Sequence, residues 1–224
     1  MNTDDFMFLA IVPAYNEEQT IGSVVRNLFE HVDRVVVVDD GSDDATAAAA
    51  DSAGAEVLRH ALNRGQGAAL ETGHEFARVI GADHVLHFDA DGQFDVRDVQ
   101  PALAELRRSN ADVLFGSRFL DKRSSIPWFK KRVLLPVGRV VSRLFGGGKL
   151  SDTHNGFRIF NRRALEKIRL TQDGMAHATE IQSLVKRHGL RYIEHPVKVT
   201  YTEYGQGIQE GTRIVRDLLL GKFV

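Results

Sequence analysis

The stretch VLHFDADGQFD, residues 85–95, runs from an apolar strand pattern straight into acid: Asp89, Asp91 and Asp95 follow one another at spacings of two and four. An apolar run needs no charge at its end. Like charges brought close repel by about 1 kcal/mol in water and about 4 kcal/mol at a protein-surface dielectric. The pattern therefore predicts a positive partner at the end of this strand.

Working outward, the first half of the chain alternates two periods. FMFLAIV (6–12), RVVVVD (34–39), AEVLRH (55–60), DHVLHFD (83–89) and DVLFGS (112–117) are short apolar or β-branched runs of strand length. Helical stretches follow the turns: EEQTIGSVVRNLFEHV puts Ile21, Val24, Val25 and Leu28 on one face behind a cap expected at Asn16, and SDDATAAAADSA follows a cap expected at Ser42. GAALETGHEFARVI and VRDVQPALAELRRS complete the series. Strands alternating with helices predict an α/β fold with a mostly parallel central sheet covered on both faces. In such sheets ligands bind at the carboxyl ends of the strands. PAYNE, DDGSDDAT, LNRGQG, DADGQ and GSRF all follow strands, so five polar loops are expected on one edge.

The second half differs. KKRVLLPVGRVVSRLF (130–145) is a basic amphipathic segment with Arg132, Arg139 and Arg143 on one helical face and Val133, Val137, Val140 and Leu144 on another. After it come DTHNGFRIF, a helical AHATEIQSLVKRHG, two short strands RYIEH and VKVTY, and a closing GTRIVRDLLLGKFV.

Composition narrows the classes. With 224 residues, 43% hydrophobic and 26% charged, the chain suffices for one domain with a sizeable core. A formal charge of -1 gives no global support for nucleic-acid binding. Cysteine is absent, which removes disulfides, thiolate nucleophiles and cysteine-ligated zinc. The N-terminal stretch carries acids where an export signal carries lysine or arginine, and no run approaches the ~20 apolar residues of a membrane span, so any membrane contact is expected to be peripheral.

Chemistry follows from the acids. Asp89 and Asp91 at this spacing suit one hard divalent cation, with Gln93 adding a carbonyl oxygen and Asp95 capping the next helix. Asp39 and Asp40 are acceptors for base N–H or ribose hydroxyls, Tyr15 offers a flat face, and Arg118 a phosphate-binding fork. Each has a structural alternative: solvated turn aspartates, a turn built by Asp39, Asp40 and Gly41, a packed Tyr15, and an Arg118–Asp121 pair.

PAYNEE, VVVVDDGSDDAT, LNRGQGAAL, DADGQ, GSRF and DTHNGFR, in that order, resemble the family 2 glycosyltransferases of GT-A fold, in the dolichol-phosphate mannose synthase-like branch. The resemblance spans about residues 6–205. It implies an inverting transferase using a UDP- or GDP-linked sugar with Mg²⁺ or Mn²⁺. It places Pro13, Tyr15, Glu17, Asp39, Asp40, Asn63 and Gly65 at nucleotide-binding positions, and Asp89, Asp91 and Gln93 at the metal and diphosphate. Arg118, Lys131, Arg132, Arg139 and Arg158 face an anionic acceptor. The division implied is a nucleotide-sugar half over about 6–120 and a small acceptor-side half over about 121–224.

A lipid phosphate is already an anion and needs arginine or lysine for alignment, whereas a hydroxyl needs a base, for which Glu180 is the candidate. The basic segment favours a polyprenyl phosphate at an anionic membrane surface, where each cation contributes about 1 kcal/mol. The expected setting is cytoplasmic, with peripheral contact at the inner face of the membrane. YTEYGQGIQEG stands where the family carries a basic, serine-rich segment, and transmembrane helices found in many relatives have no counterpart. A hydroxyl or glycan acceptor and a non-catalytic nucleotide-sugar binder stay open as alternatives. A dehydrogenase is disfavoured because GQGAALETG follows the third strand without the glycine spacing of a dinucleotide loop, and a phosphatase because no partner lysine loop appears in order.

Overall fold

The computed structural model describes residues 6–121, 123–124 and 150–200. Strands β1 (Phe8–Ala14), β2 (Arg34–Asp39), β3 (Glu56–Arg59), β4 (His84–His87), β5 (Val113–Ser117), β6 (Arg158–Asn161) and β7 (Tyr192–Pro196) form one sheet in the order β3-β2-β1-β4-β6-β5-β7. β1 pairs in parallel with β2 and β4, β2 with β3, and β5 with β7. β6 runs against both of its neighbours, β4 and β5. Two antiparallel steps restore the original direction, so every strand in this sheet except β6 ends on the same edge.

The sheet separates two cores. Along β1, Phe8, Ala10, Val12 and Ala14 face one core while Leu9 and Ile11 face the other, the period of two expected of a strand. Helices α1 (Ile21–Leu28), α2 (Thr46–Ser52) and α4 (Val99–Ser109) cover the first core through Val24, Ala50 and Leu103. Helices α3 (Gln66–Ile80), α5 (Arg162–Lys167) and α6 (His177–Arg187) cover the second through Leu70, Leu165 and Ile181. Strands buried on both faces carry polar side chains mainly at their ends, which is why FLAIVPA and the four valines of RVVVVD read as apolar runs.

Local partners differ from expectation at two caps. α1 begins behind Thr20; Asn16 instead adopts φ 56°, and its Oδ1 accepts from the Asp43 amide at 3.0 Å. α2 begins behind Ala45, and Ser42 Oγ accepts from the Asn16 amide at 2.9 Å. Short polar side chains bond loop amides as readily as helix ends, so these two tie the first and second strand-end loops together. Asp95 does cap, accepting from the Arg97 amide at 3.1 Å at the start of the 3-10 turn Val96–Asp98. VKVTY, expected as a strand, contributes within the described residues a single bridge from Val199 to Phe94. The basic segment 130–145, with Lys131, Arg132 and Arg139, lies outside the described residues. Among the described residues no helix is long and apolar enough to cross a membrane.

Candidate active site

β4 stops at His87, and two residues later Asp89 leaves the sheet edge. It is partly exposed yet closely surrounded by protein. Its Oδ1 accepts from Gln66 Nε2 at 3.1 Å, at the first residue of α3. On the other side the DTHNG loop closes in: a Cβ on Gly156 would lie 2.3 Å from Asp89 Oδ2, so only glycine permits this approach. Burial, and next the charge of Asp91, push the Asp89 carboxyl up to about 6, against the pull of Arg158 and Arg118. Asp91 accepts the Gln93 amide on Oδ1 at 2.9 Å, and burial raises its pKa as well. Glu17 is raised by burial too, with the negative charges of Asp91 and Asp44 adding to it. Acid gathers on this edge from the loops after β1 and β4.

The loop after β2 divides its two acids. Asp39, fully buried, accepts the Ser42 amide on Oδ1 at 3.0 Å. Its Oδ2 has no hydrogen-bond partner: Arg59 Nε is 3.0 Å away, close enough for charge attraction but out of hydrogen-bond geometry. Buried acceptors are normally satisfied, and here the charge of Arg59 compensates an oxygen that lacks a hydrogen bond. Asp40 is engaged by its own chain, accepting from His60 Nδ1 at 2.7 Å and the Arg64 amide at 3.0 Å on Oδ1, and from the Gly65 amide at 2.6 Å on Oδ2. It therefore holds the loop after β3. Pro13 is buried within β1 in register with Val38, while Tyr15 and Asn63 are exposed beside these acids.

The cations come from the loop after β5 and from β6. Arg118 meets buried Asp152 through two parallel bonds, Nε to Oδ2 at 2.7 Å and Nη2 to Oδ1 at 2.8 Å. Asp152, rather than Asp121, is thus its counter-ion; Asp121 instead pairs with Arg123 at 2.6 Å. Arg158, 2% exposed, opens β6. Among the described residues its guanidinium makes no hydrogen bond or ion pair, and burial lowers its pKa to about 10 against the pull of Asp89 and Asp152. His177 is driven to about 4 by burial and then by Arg158; its Nδ1 donates to the Gly174 carbonyl at 2.8 Å, leaving Nε2 as an acceptor. His154 is lowered by burial. Glu180, in the first turn of α6, accepts on both oxygens from the Thr171 amide and on one from the Gln172 amide, each at 3.0 Å.

The structure thus groups Asp89, Asp91, Gln93, Glu17, Arg118 and Arg158 around one edge, with Asp39 at the end of β2. Gln66, Asp152, Gly156 and His177 were not assigned from sequence. Asp152 and Gly156 lie inside the DTHNGFR motif, whereas Gln66 and His177 carry no local signal.

The Glycosyl transferase family 2 model matches residues 9–169. The UDP-N-acetylglucosamine–dolichyl-phosphate N-acetylglucosaminyltransferase of Methanococcus voltae is 30% identical over 97% of this chain and 97% of its own. The polyprenol monophosphomannose synthase of Mycolicibacterium smegmatis is 28% identical over 92% of this chain and 82% of its own. Among solved structures, glucosyl-3-phosphoglycerate synthase of Mycobacterium tuberculosis in complex with Mn²⁺, UDP and glucosyl-3-phosphoglycerate superposes with a TM-score of 0.71 at 19% identity, over 96% of this chain and 77% of that one. The likeness establishes the GT-A fold.

Proposed function

We propose that this chain, which belongs to glycosyl transferase family 2 and is a glycosyltransferase, moves a hexosyl unit with inversion from a UDP- or GDP-linked donor to a polyprenyl phosphate. The observation that carries this reading is the Asp89–Asp91 pair at the edge where the parallel strands end: burial raises both carboxyls, and the charge of Asp91 raises Asp89 further. A cation bound between the two would relieve that cost of ionisation. Oxygen donors suit Mg²⁺ or Mn²⁺, and both ions keep positions for water and substrate phosphates. Among the described residues no three His, Cys, Asp or Glu side chains gather to hold a metal, so Asp89 and Asp91 would share it with Gln93 and the diphosphate. When bound, the cation neutralises charge on the departing nucleoside diphosphate.

The chain's own groups do the rest. Asp39 Oδ2 takes a donor from the base or ribose, and Tyr15 lies open beside it. Asp40 holds the 60–65 loop in place. Arg158, without a bonded partner among the described residues, favours an anion on the acceptor side, and the Arg118–Asp152 pair is set at the same edge. Lys131, Arg132 and Arg139 are the sequence candidates for aligning the lipid phosphate, whose oxygen attacks the anomeric carbon on the face opposite the diphosphate. An anionic nucleophile has no proton to surrender, which agrees with Glu180 being engaged by backbone amides. Two relatives named for lipid-phosphate acceptors, with different sugars, support the acceptor class and leave the sugar open.

The test is transfer from UDP- and GDP-linked hexoses to a short polyprenyl phosphate, followed by the anomeric configuration of the product. A lipid-phosphate sugar of inverted configuration, lost in excess chelator and restored by Mn²⁺, is expected. Equal transfer to the free polyprenol, or full activity in chelator, would overturn the reading.

A further inference from the structure

The glycines of the RGQG turn would leave room for a phosphate at the start of α3, but that room is filled by the chain itself. A Cβ on Gly67 would lie 1.9 Å from the Gln172 carbonyl oxygen, and one on Gly65 2.5 Å from that of Asp173. The Asp173 carbonyl accepts from the Gly67 amide at 2.8 Å and the Ala68 amide at 3.2 Å. It thereby satisfies two of the N–H groups that a helix leaves open at its start. Residues 171 and 172 are held in turn by Glu180, which accepts the Thr171 and Gln172 amides at 3.0 Å and the Thr171 hydroxyl at 2.5 Å. One residue before Gly67, Gln66 donates to Asp89.

We propose that Glu180 is a positioning residue: through the 171–173 turn it seats the start of α3, and with it Gln66, against Asp89. This rests on the reading of Asp89 as part of the metal and diphosphate site. Glu180 acts through the backbone it holds, and no proton passes through it. Partners that orient a metal-binding carboxylate from outside matter nearly as much as the ligand itself.

The substitution Glu180→Gln turns an amide NH₂ toward N–H donors and loosens the turn. Gly67→Ala disturbs the same contact from the opposite side, and Thr171→Val removes only the hydroxyl. Mn²⁺-dependent binding of UDP or GDP, followed by calorimetry, is expected to weaken about tenfold or more in E180Q. E180Q combined with Gly67→Ala should be no worse than the weaker single variant, since both release one contact. The shape of the pH–rate profile should stay that of the wild type, and amide exchange at Gly67 and Ala68 should quicken in E180Q and, to a lesser degree, in T171V. Unchanged Mn²⁺–nucleotide affinity with a lost limb of the pH profile would make Glu180 a proton acceptor and overturn the proposal. Should the wild-type chain bind neither nucleotide, the donor-site reading fails by itself. The exchange comparison then decides the seating role, with faster exchange supporting it and equal exchange overturning it.

Discussion

Arg158, the first residue of β6, stands across the antiparallel register from His87, the last residue of β4. Because β6 runs backward in the sheet, its beginning reaches the edge where its neighbours finish. A buried guanidinium is thereby delivered beside the acids of the β4 loop, and its charge lowers the pKa of Asp89.

Arg158→Met tests that charge. With no bonded partner among the described residues to leave behind, the replacement is expected to keep or raise thermal stability, as apolar substitutes for buried charges often do. Asp89 loses a favouring charge, so Mn²⁺-dependent nucleotide binding should need a higher pH than in the wild type. Thermal unfolding with binding titrations between about pH 5.5 and 8 checks both, a window bracketing the Asp89 value of about 6. A large loss of stability with unaltered binding would assign the guanidinium a structural duty instead.

Asp91→Asn removes the neighbouring negative charge that helps to raise Asp89. The metal-free variant should unfold at the wild-type temperature or slightly above it, while its Mn²⁺-dependent nucleotide affinity falls roughly 10- to 100-fold. In the wild type, Asp89 is protonated below about pH 6, so binding should weaken there and release protons. Calorimetry in two buffers of different ionisation heat measures that release. Proton-independent binding would count against Asp89 as a ligand.

Asp39→Asn leaves one acceptor and turns a donor toward Arg59 or the ligand. If Oδ2 serves the base or ribose, nucleotide affinity should drop about tenfold or more, the scale of a charged hydrogen bond. UDP and GDP titrated in parallel also reveal which base the site prefers. Equal affinity of variant and wild type for both nucleotides would remove Asp39 from recognition.

Stability should depend on pH through buried histidines. His84 and His177 are each lowered to about 4, and His87 is lowered well below its usual value, in every case chiefly by burial. The unfolded chain takes up these protons near its ordinary histidine pKa, so the native state loses stability as pH falls from about 6.5 toward 4. Asp89 acts oppositely, because its buried charge costs stability as pH rises from about 3.9 to its native value of about 6. Asp91 and Glu17, also raised by burial, act with Asp89, while His154 and His195 are lowered like the other three, so five histidines against three acids predict a net loss at low pH. Denaturant unfolding of the metal-free protein at about pH 5 and 7.5 reads the sign, and greater stability at the lower pH would contradict the histidine burial.

The alternating α/β pattern, the positions of the strands in the first half and the convergence of five loops were legible in the sequence. They follow from local rules: apolar runs of strand length, helical faces such as Ile21, Val24, Val25 and Leu28, and the single polarity of parallel strands. The acid pair was legible for the same reason, since Asp89 and Asp91 are neighbours along the chain. Tertiary structure decided what depends on distant partners. Asp40 and Asp39 are adjacent and chemically identical, yet one is bonded by the 60–65 loop and the other keeps an unbonded oxygen. Arg118 selects Asp152, 34 residues away, over nearby Asp121 because the reversed β6 brings the DTHNG loop against β5. Glu180, an attractive base by type, is engaged by the amides of a turn eight and nine residues before it. Sequence spacing records which groups the chain carries; which of them stay open for chemistry depends on the hydrogen bonds formed once distant segments meet, and those have no local signature.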